Sequence, residues 1–164
     1  MLQASWAERK AVGSEHEQRV WREFEARNHA VARYGQGILP APIQRALGAT
    51  DSIMRWDPDL IVAQGTALAL IDCKASMRGN SADRYTISKK ALRAHLRMSA
   101  ERELPFYYVF SNLGVATPHE VMQFCGLRTL GAAAGGYVSF LAGRPHPFDE
   151  VFGCPVAEGA NVAA

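Results

Sequence analysis

The chain has 164 residues, 48% apolar and 21% charged, an ordinary globular mixture with enough material for one packed domain. Lys and Arg exceed Asp and Glu by 18 to 16, a net charge of +2, so any nucleic-acid binding has to come from locally clustered bases and not from global charge. The three cysteines, Cys73, Cys125 and Cys154, show no CxxC or Cys/His spacing, which argues against a disulfide framework or a zinc site and points to a reducing compartment.

In chain order, the N-terminal stretch lacks the apolar h-region of a secretory leader. No apolar run approaches the ~18–20 residues of a membrane span, so a cytoplasmic location and no membrane partner are expected. Residues 13–34 read as a helix, with Val20, Trp21, Phe24 and Val31 at helical spacing. Ser14 suits its N-cap, and Glu17 three residues on completes a capping-box pattern. Residues 35–51, rich in Gly and Pro, form a connection with a helical turn near 43–47. Three strands are predicted next: a weak one at 52–55, then 60–63, and, after a tight turn at 64–66, 67–73.

A loop at 79–83 precedes a second helix over 87–103, whose buried side is predicted to carry Ile87, Ala91, Leu92, Leu96 and Met98. The run LPFYYVFS at 104–111 is strongly β-prone and reads as a central buried strand. Thr117-Pro118-His119-Glu120 is another helix start, with Thr as cap, Pro at the first position and Glu three after the cap. An edge strand at Tyr137–Leu141 and a fraying end at 154–164 complete the chain. The order is helix, three strands, helix, strand, with a short helix and strand appended, and its economical packing is a mixed sheet with a helix on each face.

Charged residues close the best strand. Asp72 and Lys74 project from one face about 6–7 Å apart along the backbone, while Cys73 points into the opposite layer. If 60–63 and 67–73 pair as a hairpin turning at Gly65, Asp59 lies beside Asp72. Two close carboxylates repel, a hard cation such as Mg²⁺ removes the repulsion, and a neighbouring ammonium can balance charge on a transferring phosphoryl group. Those parts suit phosphodiester hydrolysis.

Pro58-Asp59 followed by Asp72-Cys73-Lys74 at the end of an apolar strand resembles the PD-(D/E)XK nuclease superfamily, and within it the small Holliday junction resolvases and related phage nucleases. The resemblance spans about residues 13–112 and leaves the C-terminal quarter unmatched. It implies an α/β restriction-endonuclease-like core (αβββαβ) with a central mixed four-stranded sheet flanked by helices, the whole chain being a single nuclease domain. It also implies Asp59 and Asp72 as metal ligands, the Cys73 backbone carbonyl facing the metal, and a Glu in the first helix shortly after a Gly. Gly13 and Glu17 match that placement, so Glu17 stands between two roles, helix cap and metal ligand, with Glu15 as fallback. Asp57 reads as a turn residue.

For DNA contacts, Lys89, Arg93 and Arg97 recur every four residues, with Lys90 adjacent. They make either a solvated face or a phosphate-contacting stripe, and Lys89 or Lys90 fits the site-proximal position many family members fill with Lys or Gln. Arg78, Arg84 and Tyr85 flank the loop after the motif and are further candidates. His95, His119 and His146 lack ligand spacing and read as structural. The expectation is a Mg²⁺-dependent DNA endonuclease, with Mn²⁺ as a substitute and no nucleotide cofactor. It would be a homodimer acting in a bacterial or phage-infected cytoplasm on branched or duplex DNA, in recombination or repair. Restriction-type or exonuclease action is the enzymatic alternative, and an inactive nucleic-acid- or protein-binding scaffold the alternative of another class.

Overall fold

The computed structural model describes residues 6–75, 83–125 and 136–155, with residues 6–10 by backbone alone. The first helix, α1 (Trp6–Glu25), starts upstream of the expected 13, so Ser14 sits inside it and caps nothing. It also stops earlier. Asn28 takes the left-handed conformation (φ 57°), with His29 N donating to Phe24 O at 3.1 Å and Asn28 N to Glu25 O at 3.0 Å. This is a Schellman end, which turns the chain out of the helix. Residues 30–33, expected to continue it, instead form strand β1 (Ala30–Arg33).

A connection follows, with helix α2 (Ala41–Gly48) where a helical turn was expected. The weak strand expected at 52–55 is a single 3-10 turn, Ile53–Trp56, in which Ser52 Oγ accepts from Met54 N at 3.3 Å. Then come β2 (Leu60–Gln64) and β3 (Ala67–Lys74), the predicted hairpin, and β4 (Arg84–Ser88), which takes Ile87 out of the helix expected there. Helix α3 is Lys89–Arg102, followed by β5 (Phe106–Phe110), β6 (Gly114–Ala116) and α4 (Pro118–Cys125). The described chain ends with β7 (Tyr137–Leu141), β8 (His146–Pro147) and α5 (Phe148–Phe152). Most of the loop expected at 79–83 and of the tail at 154–164 lies outside the described residues.

The central sheet is mixed and has six strands, in the order β1-β2-β3-β5-β6-β8, two more than expected. Only β3 and β5 run parallel, because α3 carries the chain back across the sheet between them. Strands β4 and β7 form a separate two-stranded ribbon, so 137–141 is an edge strand of that ribbon and not of the main sheet.

Alternation along β3 and β5 divides the core. On one face Val20 and Phe24 of α1 and Phe148 of α5 cover Leu60, Val62, Ile71, Val109 and Val115. On the other, Ala91, Leu92 and Met98 of α3 join Tyr85, Ile87, Val138 and Phe140 of the ribbon over Leu70, Phe106, Tyr108 and Phe110. Each large aliphatic buried this way contributes about 1.5–3 kcal/mol, which fixes the register and with it the end of the β2–β3 hairpin. Among the described residues no helix is long and apolar enough to cross a membrane.

Candidate active site

Leu60 pairs with Ile71, and one further step of that antiparallel register sets Asp59 across from Asp72. Leu70 packs toward α3, while Ile71 and Cys73 pack toward α1. By alternation Asp72 and Lys74 share the α3 side. Asp72 is buried (6% exposed) at the last turn of an apolar strand, and Lys74 Nζ forms an ion pair with its Oδ2. The ammonium also lies 5.7 Å from the centre of the Tyr108 ring. Asp59 Oδ2 accepts a hydrogen bond from Cys73 N at 2.7 Å, tying the start of β2 to the end of β3.

The turn that presents Asp59 is held from β1. Tyr34 N donates to Asp59 O at 2.8 Å. Gly35 (φ 53°) runs against the Asp57 and Pro58 carbonyls, where a Cβ would collide with Pro58 O. Asp57 accepts from Arg102 Nη2 at 2.8 Å, a turn residue anchored to the end of α3. Glu17 approaches from α1, half-buried, with its Oε1 3.3 Å from Arg33 Nε. Since α1 begins well before it, the capping role for Glu17 is excluded. Glu15 is exposed.

The electrostatics follow from this crowding. Burial, and then the Asp72 charge, push the Asp59 carboxyl from 3.8 up to about 7, with Lys74 and the Cys73 amide pulling the other way. Burial pushes the Glu17 carboxyl up as well, partly offset by Arg33. Burial alone would lower the Lys74 ammonium, but Asp72 and Asp59 more than reverse it, so the lysine stays charged. Burial and the surrounding acids hold the Cys73 thiol well above its ordinary value, so it is no nucleophile. Of the three acids, Glu17 is paired with Arg33 and Asp72 with Lys74, and the Asp59 carboxyl, bonded to the Cys73 amide, is the one raised to about 7.

A hard divalent cation fits this donor set in both chemistry and charge. The carboxylate oxygens of Asp59 and Asp72, the Cys73 carbonyl and Glu17 are the ligand types Mg²⁺ prefers, and the surplus acid is what a cation would neutralise. Among the described residues no three acidic, His or Cys side chains stand ready as a cage. Asp72 is turned to Lys74, Glu17 to Arg33 and Asp59 to the Cys73 amide.

The expected DNA-contacting residues do not all reach the surface. Lys90, Arg93 and Arg97 are exposed on one side of α3, with Arg97 bound to Glu101 at 2.6 Å. Lys89, expected to lead that stripe, is buried at the first position of the helix, because α3 starts there and turns it toward the core. Arg84 is exposed but spans the ribbon, donating to Ser139 Oγ at 2.9 Å and Ser139 O at 3.0 Å. Tyr85 is a core residue and offers no ring to a base. It stacks on Phe110 at 4.5 Å, and its hydroxyl accepts from Asn112 N at 3.3 Å. Arg78 lies outside the described residues.

Sequence reasoning overlooked Arg33 and Tyr34, which had been placed in a helix, and the link from Arg102 to Asp57. Asn28 was the available signal, since Asn tolerates the left-handed position that ends a helix.

No family model and no curated protein matches the chain. Among solved structures, its fold is similar to that of Hjc from Archaeoglobus fulgidus, described as a Holliday junction resolvase from an archaeal hyperthermophile. The TM-score is 0.54 at 13% identity, covering 86% of this chain and 100% of that one. At this identity the likeness is one of fold: a restriction-endonuclease-like mixed sheet flanked by helices.

Proposed function

We propose that this chain is a metal-dependent DNA endonuclease of the PD-(D/E)XK type, cutting branched DNA in the manner of a Holliday junction resolvase. The observation that carries the proposal is the meeting of Asp59 and Asp72 across the β2–β3 hairpin, with Lys74 two residues on and paired to Asp72. The fold shared with a protein described as a resolvase supports it.

In this reading Asp59, Asp72 and the Cys73 carbonyl hold Mg²⁺, or Mn²⁺ in its place, with Glu17 completing the set. Bound there, such an ion would supply Lewis acidity for phosphodiester hydrolysis. The chain's own groups do the rest. Lys74, kept charged by two carboxylates, acts as a fixed cation toward the charge that grows on the phosphoryl oxygens, not as a general base. Burial and the Asp72 charge raise the Asp59 carboxyl to about 7, and a bound cation would oppose that rise, so metal binding there would be coupled to loss of a proton. Lys90, Arg93 and Arg97 line the DNA path and set the salt dependence of binding. The chain works as one nuclease domain in the cytoplasm, and as a two-fold dimer, because two symmetric incisions need two sites.

The test is cleavage of labelled four-way junction, flap, linear duplex and single-stranded DNA with Mg²⁺, Mn²⁺ or EDTA, beside Asp72→Asn. Metal-dependent cutting that disappears in the variant is expected, with the junction as preferred substrate. Cutting that survives Asp72→Asn would sink the site assignment. A preference for unbranched duplex would replace resolvase by restriction-type action.

A further inference from the structure

His95 lies at the centre of α3, 1% exposed, and the chemistry above leaves it unused. Its Nε2 is 2.7 Å from the Trp56 carbonyl, and its Nδ1 is 2.8 Å from the Tyr108 hydroxyl. A carbonyl only accepts, so Nε2 carries the proton. A neutral imidazole then has a bare Nδ1, and Tyr108 must donate to it. Burial lowers the affinity of the ring for a second proton, which preserves this tautomer. The ring is also stacked on Phe106 at 4.4 Å, so its plane and both bond directions are set.

The two partners belong to opposite halves of the site. Trp56 stands three residues before Asp59, in the turn that Arg102 grips through Asp57. Tyr108 pairs in register with Asp72 on the neighbouring parallel strand, and its ring lies beneath the Lys74 ammonium. We infer that His95 is a positioning residue: by bridging the Trp56 carbonyl and the Tyr108 hydroxyl it sets the spacing between the segment carrying Asp59 and the strand carrying Asp72 and Lys74. The spacing is a property of the fold, and its consequence for metal binding rests on the nuclease reading. A Phe or Leu would fill the same volume against Phe106, but only a group with two directional bonds fixes both halves.

The test uses the full chain with four variants. His95→Phe keeps the ring and loses both bonds, and His95→Gln restores a donor toward Trp56. Tyr108→Phe removes a single oxygen, and Met98→Leu is a volume-conserving control on the same buried side of α3. The first readout needs no metal. The Cys73 amide proton is bonded to Asp59 Oδ2, so its NMR shift and exchange rate report the spacing directly. In His95→Phe it should move upfield and exchange at least about 10-fold faster than the change in global stability accounts for. His95→Gln should recover much of this, Tyr108→Phe should show a smaller change of the same sign, and Met98→Leu none. The second readout is Mn²⁺ affinity by calorimetry, expected to weaken about 10-fold or more in His95→Phe, the size usual for groups that orient ligands.

A Cys73 amide unmoved in folded His95→Phe overturns the inference. If that variant does not fold, an unmoved amide in Tyr108→Phe does so. A wild-type chain that binds no Mn²⁺ and cuts no DNA overturns the nuclease reading instead, and the Cys73 amide still decides the role of His95.

Discussion

Two clusters of buried charge flank α1, and they differ in how completely they are paired. Near its C-terminal end Arg27, 5% exposed, donates through Nε to Gly153 O at 2.6 Å and through Nη1 to Glu23 O at 2.6 Å and Glu23 Oε2 at 2.8 Å. Its Nη2 binds Asp149 Oδ1, and its guanidinium lies 4.6 Å from the centre of the Phe148 ring. Every nitrogen has a partner, two of the acceptors are neutral carbonyls, and the cluster ties α1 to α5. Beside the middle of α1, by contrast, Glu17, Asp59 and Asp72 share Lys74 and Arg33, and one acid is left to hold a proton to about pH 7. A satisfied cluster is a strut. An unsatisfied one leaves surplus negative charge that an added cation would neutralise, which is what the proposed nuclease site calls for.

Exchanging the two behaviours by mutation tests the contrast most strongly. Asp72→Asn should lower metal-dependent cleavage by at least about 100-fold, since losing even the outer partners of ligands costs 10–100-fold, while leaving the chain folded. Arg27→Ala should do the reverse. Removing the one cation from a largely buried network costs on the order of 2–4 kcal/mol, less than for a fully buried pair because Asp149 is half in water. Cleavage per folded molecule should be unchanged. Denaturant melts alongside junction cleavage read both, and equal losses of activity in the two variants would erase the distinction.

The next effect is a pH dependence. Asp59 binds its proton to about pH 7 when folded, against 3.8 as its ordinary value, so over that interval the folded state holds the extra proton. The stability this group contributes is therefore whole below about pH 4 and is lost as pH rises through 7. With EDTA present, Asp59→Asn should stabilise the fold at pH 8 by on the order of 2 kcal/mol, its partial exposure allowed for, and so raise the thermal midpoint there, while making almost no difference at pH 4. A melt series from pH 4 to 8 checks it. Equal effects at both ends would mean that Asp59 is not the unbalanced acid.

How much of this was legible in the sequence depended on how local each contact is. Asp59 and Asp72 were readable because a tight turn at Gly65 fixes the register between them, and the apolar alternation of 60–63 and 67–73 leaves one pairing that buries both strands. β1 was not readable. Val31 falls seven residues after Phe24, a helical spacing, and only its distant partner Val62 makes it a strand. β6 and β8, three and two residues long, carry no period at all and bring the sheet from four strands to six. Tyr85 looked like a substrate contact because it follows the motif loop, but β4 pairs with β7, more than fifty residues away, and that pairing buries it against Phe140. His95 read simply as structural because its partners are a backbone carbonyl 39 residues back and a tyrosine hydroxyl 13 residues on, in another element, and neither leaves a spacing signature.

The smallest effect separates two identical signatures. Thr117 with Glu120 and Ser14 with Glu17 both spell a capping box. The first is one: Glu120 N donates to Thr117 Oγ1 at 3.2 Å, and Thr117 N donates to Glu120 Oε2 at 2.7 Å. The second lies within a helix that begins at Trp6, which is why Glu17 is free to face Arg33 and the site. Thr117→Ala should therefore cost about 1 kcal/mol, while Ser14→Ala should cost nothing or gain a few tenths, since Ala is the better interior residue. Gly13→Ala sharpens this further. A Cβ there meets nothing within 4 Å, so an uninterrupted α1 gains about 0.5–1 kcal/mol, a rise of roughly 1–4 °C in the melting midpoint. A helix that began at Ser14 would show the opposite sign at Ser14, losing a cap as Thr117→Ala does. Melting Ser14→Ala and Gly13→Ala side by side therefore locates the start of α1, and with it the freedom of Glu17.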